Sequence, residues 1–239
     1  MYNRKAMEFA SLWVGIPMPK IQLMCLSSFV YHGHDITLYV YDLEMAVPRG
    51  VKKADAREIL PEELLFKVEN SYAAFSDIFR YNMIKKTGMT WVDADTICLS
   101  PDWNFKDNIF ASLQQGPCVV GGVLSLDPDS EILEYILKEV NYIDKEKMIW
   151  SELGPTLLNK AFIKYDYLDY AYPYEVFLGI EYQDWKKLWH RKYLPEILEI
   201  EKKSKAISVY NQMVVRGNYN RDNFPRGSAM HYFEQKFMK

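Results

Sequence analysis

The chain has 239 residues, 49% hydrophobic and 26% charged, with a formal net charge of −3, which is enough for one large domain with a generous core and argues against general nucleic-acid binding. No apolar run approaches the ~20 residues of a membrane span, and the run "FASLWVGIPM" (9–18), which mimics a signal peptide after Arg4 and Lys5, is preceded by Glu8 and lacks a small-residue cleavage site. Cys25, Cys98 and Cys118 are an odd number set far apart in apolar runs, the pattern of buried free thiols in a reducing, cytoplasmic setting and not of a disulfide frame or zinc site.

In chain order, "FASLWVG" (9–15) reads as a buried strand closed by Gly15 and the prolines Pro17 and Pro19. From Lys20 to His32 the apolar residues Ile21, Met24, Cys25 and Phe29 recur at helical spacing, and Gly33 supplies the stop. "ITLYVYD" (36–42) is rich in β-branched and aromatic residues and predicts a second strand. Strand, helix and strand in so short a span form a βαβ unit with parallel strands. Residues 43–70 are irregular, with Pro48, Gly50 and Pro61 among charges. A helix follows over 71–86, with Tyr72, Phe75, Phe79 and Met83 on one face and Gly88 as its end.

"TWVDAD" (90–95) is the next strand, "PCVVGGVLSL" (117–126) a further one, "DSEILEYILKEVNYI" (129–143) an amphipathic helix and "GPTLLNKAFIKY" (154–165) a shorter helix. The order predicts an α/β domain with a mostly parallel, Rossmann-like sheet flanked by helices and a helical, loop-rich C-terminal elaboration. Ligands in such sheets sit at the carboxyl ends of the strands. Residues 1–239 form a single domain on this reading, with 1–128 as the ligand-binding half and 129–239 as the second half.

The stretch "TWVDADTICL" (90–99) places Asp93 and Asp95 at that end of an apolar run. Ionised carboxylates are rarely buried without a partner. On a strand, residues i and i+2 point the same way, so both carboxylates face one spot and Ala94 faces the other. Two hard oxygen ligands suit Mg²⁺ or Mn²⁺; the alternative is an accidental D-x-D in a turn. Asp77 and Arg80, three apart on a helix, share a face. In "DWKKLWHRKY" (184–193) Trp185, Leu188 and Trp189 form a helical stripe among Lys186, Lys187, Arg191 and Lys192, which predicts either a helix packing its aromatics inward or one lying on an anionic membrane surface.

The segment "AAFSDIFRYNMIKKTGMTWVDAD" (73–95) resembles the signature of DXD-motif glycosyltransferases of the GT-A fold, above all the sugar-binding DXD family of galactosyl- and mannosyltransferases and the catalytic domains of bacterial glucosylating toxins. Ser76, Asp77 and Arg80 match the Ser-Asp-x-x-Arg helix, Gly88 one of two glycines, Trp91 stands for a tyrosine, and Asp93 and Asp95 match the DXD. "LWVG" (12–15), "SFVYHGHDITLYVYD" (28–42), "GPTLLN" (154–159) and "PRGSAM" (225–230) resemble further family segments.

The resemblance implies a GT-A fold and metal-dependent hexose transfer from a nucleotide-diphosphate sugar, UDP-sugar before GDP-sugar, to a glycan, glycolipid or protein acceptor with retention. Asp95 would bind Mn²⁺ or Mg²⁺ directly and Asp93 would share it and contact the ribose. Asp77 would hold sugar hydroxyls, and Arg80 phosphate or sugar oxygens. Trp13, Val14, Tyr41 and Asp42, at the ends of the first two strands, would receive the nucleotide, together with Ser76 and Ala94. Gly121, Gly122, Glu152, Gly154 and Pro155 would lie on the sugar and acceptor side. Family members commonly carry a C-terminal His as a third metal ligand; here Ser208 stands in its place, with Asn211 and His231 as substitutes.

Two rivals stand beside this. "VDADT" also fits the opening motif of haloacid-dehalogenase-like phosphatases, with Asp93 as nucleophile, Asp95 as general acid and Mg²⁺ as cofactor. The missing His also fits an inactive nucleotide-sugar-binding protein.

Overall fold

The computed structural model describes residues 7–105, 108–114, 116–144 and 148–238. Strand β1 (Glu8–Trp13), helix α1 (Lys20–Tyr31) and strand β2 (Asp35–Val40) form the expected βαβ unit. β1 and β2 pair in parallel from Glu8 opposite Asp35 to Trp13 opposite Val40. The irregular stretch that follows contains a strand that its sequence does not announce: β3 (Lys52–Asp55) adds in parallel to β2 as the sheet's edge. Its exposed Lys52 and Lys53 suit a position where charge discourages pairing with another chain.

Helix α2 (Ala73–Thr87) ends where Gly88 adopts φ 69° and returns its N–H to Ile84 O, a left-handed cap that glycine takes at no steric cost. Strand β4 (Thr90–Val92) then enters beside β1, in parallel. After β5 (Thr96–Cys98), β6 (Phe110–Gln114) and β7 (Cys118–Ser125) form an antiparallel pair, and β7 also runs antiparallel to β4. Helices α3 (Glu131–Val140) and α4 (Leu157–Lys164) follow, and β8 (Ala171–Tyr172) joins β6 in parallel. The sheet order is β3-β2-β1-β4-β7-β6-β8. Chain progression reverses between β1 and β4, so a crevice opens at their carboxyl ends.

The sheet is covered on both faces. On one, Phe75, Phe79 and Met83 of α2 meet Trp91, Leu133 and Phe162 from β4, α3 and α4. On the other, Phe29 of α1 joins Phe9, Trp103, Phe105, Phe110 and Phe177 in an aromatic layer. Each such ring taken fully from water contributes about 1.5–3 kcal/mol.

The C-terminal region consists of α5 (Tyr174–Phe177), α6 (Leu194–Glu201), β9 (Ala206–Ser208), α7 (Asn211–Arg216) and α8 (Ala229–Phe237). Strand β9 pairs antiparallel with β5, with Ser208 opposite Thr96. The stripe Trp185, Leu188, Trp189 lies on a 3₁₀ helix (Tyr182–Trp189) and is buried against α8 and the outer face of α1. Its aromatics therefore pack inward, and the membrane-surface arrangement is not the one adopted. Among the described residues no helix is long and apolar enough to cross a membrane. Cys25 and Cys98 are free and buried, whereas Cys118 is half-buried beside the Asn159 amide.

Candidate functional site

A cleft of about 900 Å³ opens at the carboxyl ends of β1 and β4, within the range of small-molecule sites. Trp13, Val14, Ser76, Asp77, Arg80, Asp93, Ala94 and Asp95 all line it.

The two aspartates do not sit on a strand as expected. β4 ends at Val92, and 93–96 form a β-turn closed by Thr96 N–H donating to Asp93 O at 3.0 Å. Asp93 N–H still donates to Gly122 O of β7 at 2.7 Å, the last tie to the sheet before the chain turns. The side chains consequently take different partners.

Asp93 faces α2. Its Oδ1 accepts from Arg80 Nη2 at 3.0 Å and from Trp91 Nε1 at 2.8 Å. Arg80 Nη2 also lies 3.1 Å from Asp77 Oδ1, and its guanidinium sits 5.1 Å from the centre of the Trp91 ring. Asp77 and Arg80 share a helical face as their spacing requires, but Arg80 is only 5% exposed, so this is no solvated surface pair. Burial pushes Asp77 up from its ordinary 3.8 to about 6, against the attraction of Arg80. Burial also opposes the Arg80 charge, yet Asp93 and Asp77 together raise its pKa.

Three glycines make room for this cluster. A Cβ on Gly121 would fall 2.2 Å from Arg80 Nη1, one on Gly154 2.8 Å from Asp77 Oδ2, and one on Gly122 3.2 Å from Asp93 Oδ2. Gly121 and Gly122 line the cleft, as do Glu152 and Pro155, whereas Gly154 does not and backs onto Asp77 instead.

Asp95 turns the other way. Its Oδ2 accepts from the backbone N–H of Asn211, the first residue of α7, at 2.6 Å, and its backbone O accepts from Val209 N at 2.9 Å. Burial and the neighbouring Asp93 raise its pKa from 3.8 to about 6, while the Asn211 N–H pulls it down. Tyr210, in a left-handed conformation at φ 57°, turns the chain from β9 into α7. Ser208 and Asn211 flank Asp95 and line the cleft; Ser208 Oγ accepts from Tyr210 N, and Asn211 Oδ1 from Gln22 Nε2. His231 lies on α8 and does not line it. Among the described residues no three His, Cys, Asp or Glu side chains converge.

Tyr41 and Asp42 are not brought to the cleft. Tyr41 packs into the core with its hydroxyl donating to Leu60 O at 3.0 Å, and Asp42 accepts from Glu44 N at 2.9 Å. The alternation of β2 carries Tyr39 and Tyr41 together toward α2. Conversely, sequence reasoning missed the groups at the mouth. Arg216 of α7 pairs with Glu69 at 2.6 Å and lies over the Trp150 ring at 5.0 Å, joining three segments that nothing local connects. It also missed Trp91 as a site residue, although its place two before Asp93 puts the two side chains on one side of β4.

The buried acid has a consequence for stability. Folded Asp77 holds its proton to about pH 6, whereas the unfolded chain releases it near 3.8, so its contribution is present below that value and is lost as pH rises through 6. The gap corresponds to roughly 3 kcal/mol. Relative to wild type, Asp77→Asn is therefore expected to gain stability between pH 4 and pH 7, read from urea midpoints at both. A difference independent of pH would refute the burial of this acid.

No family model matches this sequence, and no curated protein matches it either. Among solved structures it is similar to PaToxG Glycosyltransferase, at 13% identity over 98% of this chain and 85% of that one, with a TM-score of 0.51. It is also similar to WbbM bifunctional glycosyltransferase in its apo structure, at 12% identity, 100% and 53% coverage and a TM-score of 0.44. The first of these likenesses shows that the α/β fold described above is that of a glycosyltransferase structure.

Proposed function

We propose that this protein is a glycosyltransferase, moving a hexose from a nucleotide-diphosphate sugar to a glycan, glycolipid or protein acceptor, in the cytoplasm. The observation that carries this is the Asp93-Ala94-Asp95 turn at the floor of a cleft where the sheet reverses, with Trp13 and Val14 of the β1 end beside it. UDP is favoured over GDP as the carrier, on the sequence resemblance.

The donor set fits Mn²⁺ or Mg²⁺: two hard-oxygen carboxylates line one cleft, and burial first, then the neighbouring Asp93, raise Asp95 toward 6, a cost that a divalent cation offsets. Asp93 and Asp95 would hold the ion. When bound, it would supply charge stabilisation for the departing diphosphate.

The chain's own residues do the rest. Asn211 N–H holds the Asp95 carboxylate in place, and Arg80 with Trp91 holds Asp93. Lys67 and Arg221 at the cleft wall offer positive charge to phosphate oxygens. Trp13 and Val14 offer an apolar bed for the base. Transfer proceeds with retention on this reading, the acceptor attacking on the leaving-group face; an inverted anomeric signal in product NMR would exclude that.

The test is a thermal-shift panel of UDP-, GDP-, CDP- and ADP-sugars, each with Mn²⁺ or EDTA. One nucleotide at about 100 times its Kd is expected to stabilise by roughly 2.7 kcal/mol, a rise of roughly 5–10 °C at this chain length. The shift requires metal and is lost in Asp95→Ala. Sugar release without acceptor separates a transferase from a mere binder. No shift with any nucleotide, with phosphatase turnover instead, would overturn the proposal.

A further inference from the structure

We propose that Trp91 is a positioning residue of this site: its indole N–H, acting with Arg80, locks the Asp93 carboxylate so that Oδ2 is the oxygen presented to a ligand. This deepens the metal-site reading given above and rests on it.

Trp91 is 1% exposed and is held from both sides. Its backbone pairs with Ala10 of β1 and with Leu124 of β7, and its ring packs on Phe79 at 6.2 Å. A buried indole usually finds an acceptor for its N–H; that of Trp189, also buried, has none among the described residues. The acceptor for Trp91 is the first carboxylate of the site, at 2.8 Å.

That bond falls on the same oxygen that Arg80 takes at 3.0 Å. Oδ1 is thereby doubly engaged, while Oδ2 has no hydrogen-bond partner among the described residues and lies over Gly122. The terminal torsion of an aspartate is broad and nearly two-fold, so one donor leaves the carboxylate free to swivel about its bond. Two donors from different directions, both on rigid elements, do not. The ring contributes again from its face, lying under the Arg80 guanidinium at 5.1 Å.

The probe is Mn²⁺ alone, titrated into the full chain and read by the electron paramagnetic resonance of the free ion. Trp91→Phe keeps a ring under Arg80 and removes the N–H. It is expected to weaken Mn²⁺ binding about tenfold, the loss typical when a partner orienting a metal ligand is removed, with Asp95→Ala losing binding altogether. A merely structural role would lower the melting temperature and leave Mn²⁺ affinity unchanged; that result overturns the proposal and spares the metal site, provided Asp95→Ala still abolishes binding.

A second measurement needs neither metal nor a folded variant at position 91. In the wild type, the Trp91 indole proton, assigned by triple-resonance NMR, is expected to exchange slowly with solvent and to shift on Asp93→Asn. If that signal does not respond to Asp93→Asn, Trp91 does not hold the carboxylate, and the proposal falls. If the wild type binds no Mn²⁺, the metal reading falls, and the indole signal alone decides the orientation of Asp93.

Discussion

Arg80→Met is expected to lower stability by about 3–5 kcal/mol at pH 7, the cost of removing one partner from a buried charged group. For a chain of this length that is a fall in Tm of roughly 6–20 °C. The reason is that Asp77 and Asp93 meet at one nitrogen of Arg80, at 3.1 and 3.0 Å. Methionine fills much of the same volume but leaves two carboxylates facing each other without a cation. Asp77, already raised by burial and now without the opposing pull of Arg80, takes up a proton more readily, so the deficit shrinks as pH falls toward 4 and grows toward neutrality. Combining the change with Asp77→Asn removes one of the two stranded charges, so at pH 7 the double variant is expected to be more stable than Arg80→Met alone. Urea denaturation of the four proteins at pH 5 and pH 7 measures both effects. A loss below about 1 kcal/mol with no pH dependence would be the behaviour of an exposed pair, and would contradict the burial of Arg80.

The position of this cluster was legible in the sequence, but its construction was not. The period of Ile21, Met24, Cys25 and Phe29 gave α1, and Gly88 marked the end of α2 because a helix that must stop there needs a left-handed residue. Strand β3, by contrast, is the polar tetrapeptide KKAD, and β8 is two residues long. Both are held by a neighbouring strand and carry no alternation of their own.

Asp93 and Asp95 were placed correctly at a strand end and wrongly on the strand. Where β4 stops depends on Gly122 and Asn211, which are distant in sequence and bond to these residues. The same distance hid the work of the glycines. Gly121 and Gly154 sit far along the chain from Arg80 and Asp77, and no local pattern says that a side chain there would meet them. Tyr41 and Asp42 illustrate the opposite error. The end of β2 lies beside that of β1, yet the pleat sends Tyr41 inward and Asp42 into a local turn with Glu44.

The second large effect is expected at Gly121. Its backbone has no positive φ, so alanine is conformationally allowed, and the obstacle is space alone. The new Cβ would lie 2.2 Å from Arg80 Nη1 and 3.1 Å from Leu158 Cδ1. The first distance cannot be kept. Either the guanidinium leaves its two carboxylates, or β7 moves and takes with it Gly122, whose carbonyl receives Asp93 N–H. Both routes end at Asp93, so Gly121→Ala is expected to cost about 1–3 kcal/mol, as overpacking does, and to weaken Mn²⁺ binding as well. Gly122→Ala separates the two consequences: its Cβ meets only Asp93, 3.2 Å from Oδ2, so binding should suffer more than stability. The decisive comparison repeats Gly121→Ala in the Arg80→Met background. If the crowding acts through the guanidinium, most of its cost disappears there; if the cost is unchanged, Leu158 sets the limit and Gly121 is not part of the seat of Arg80.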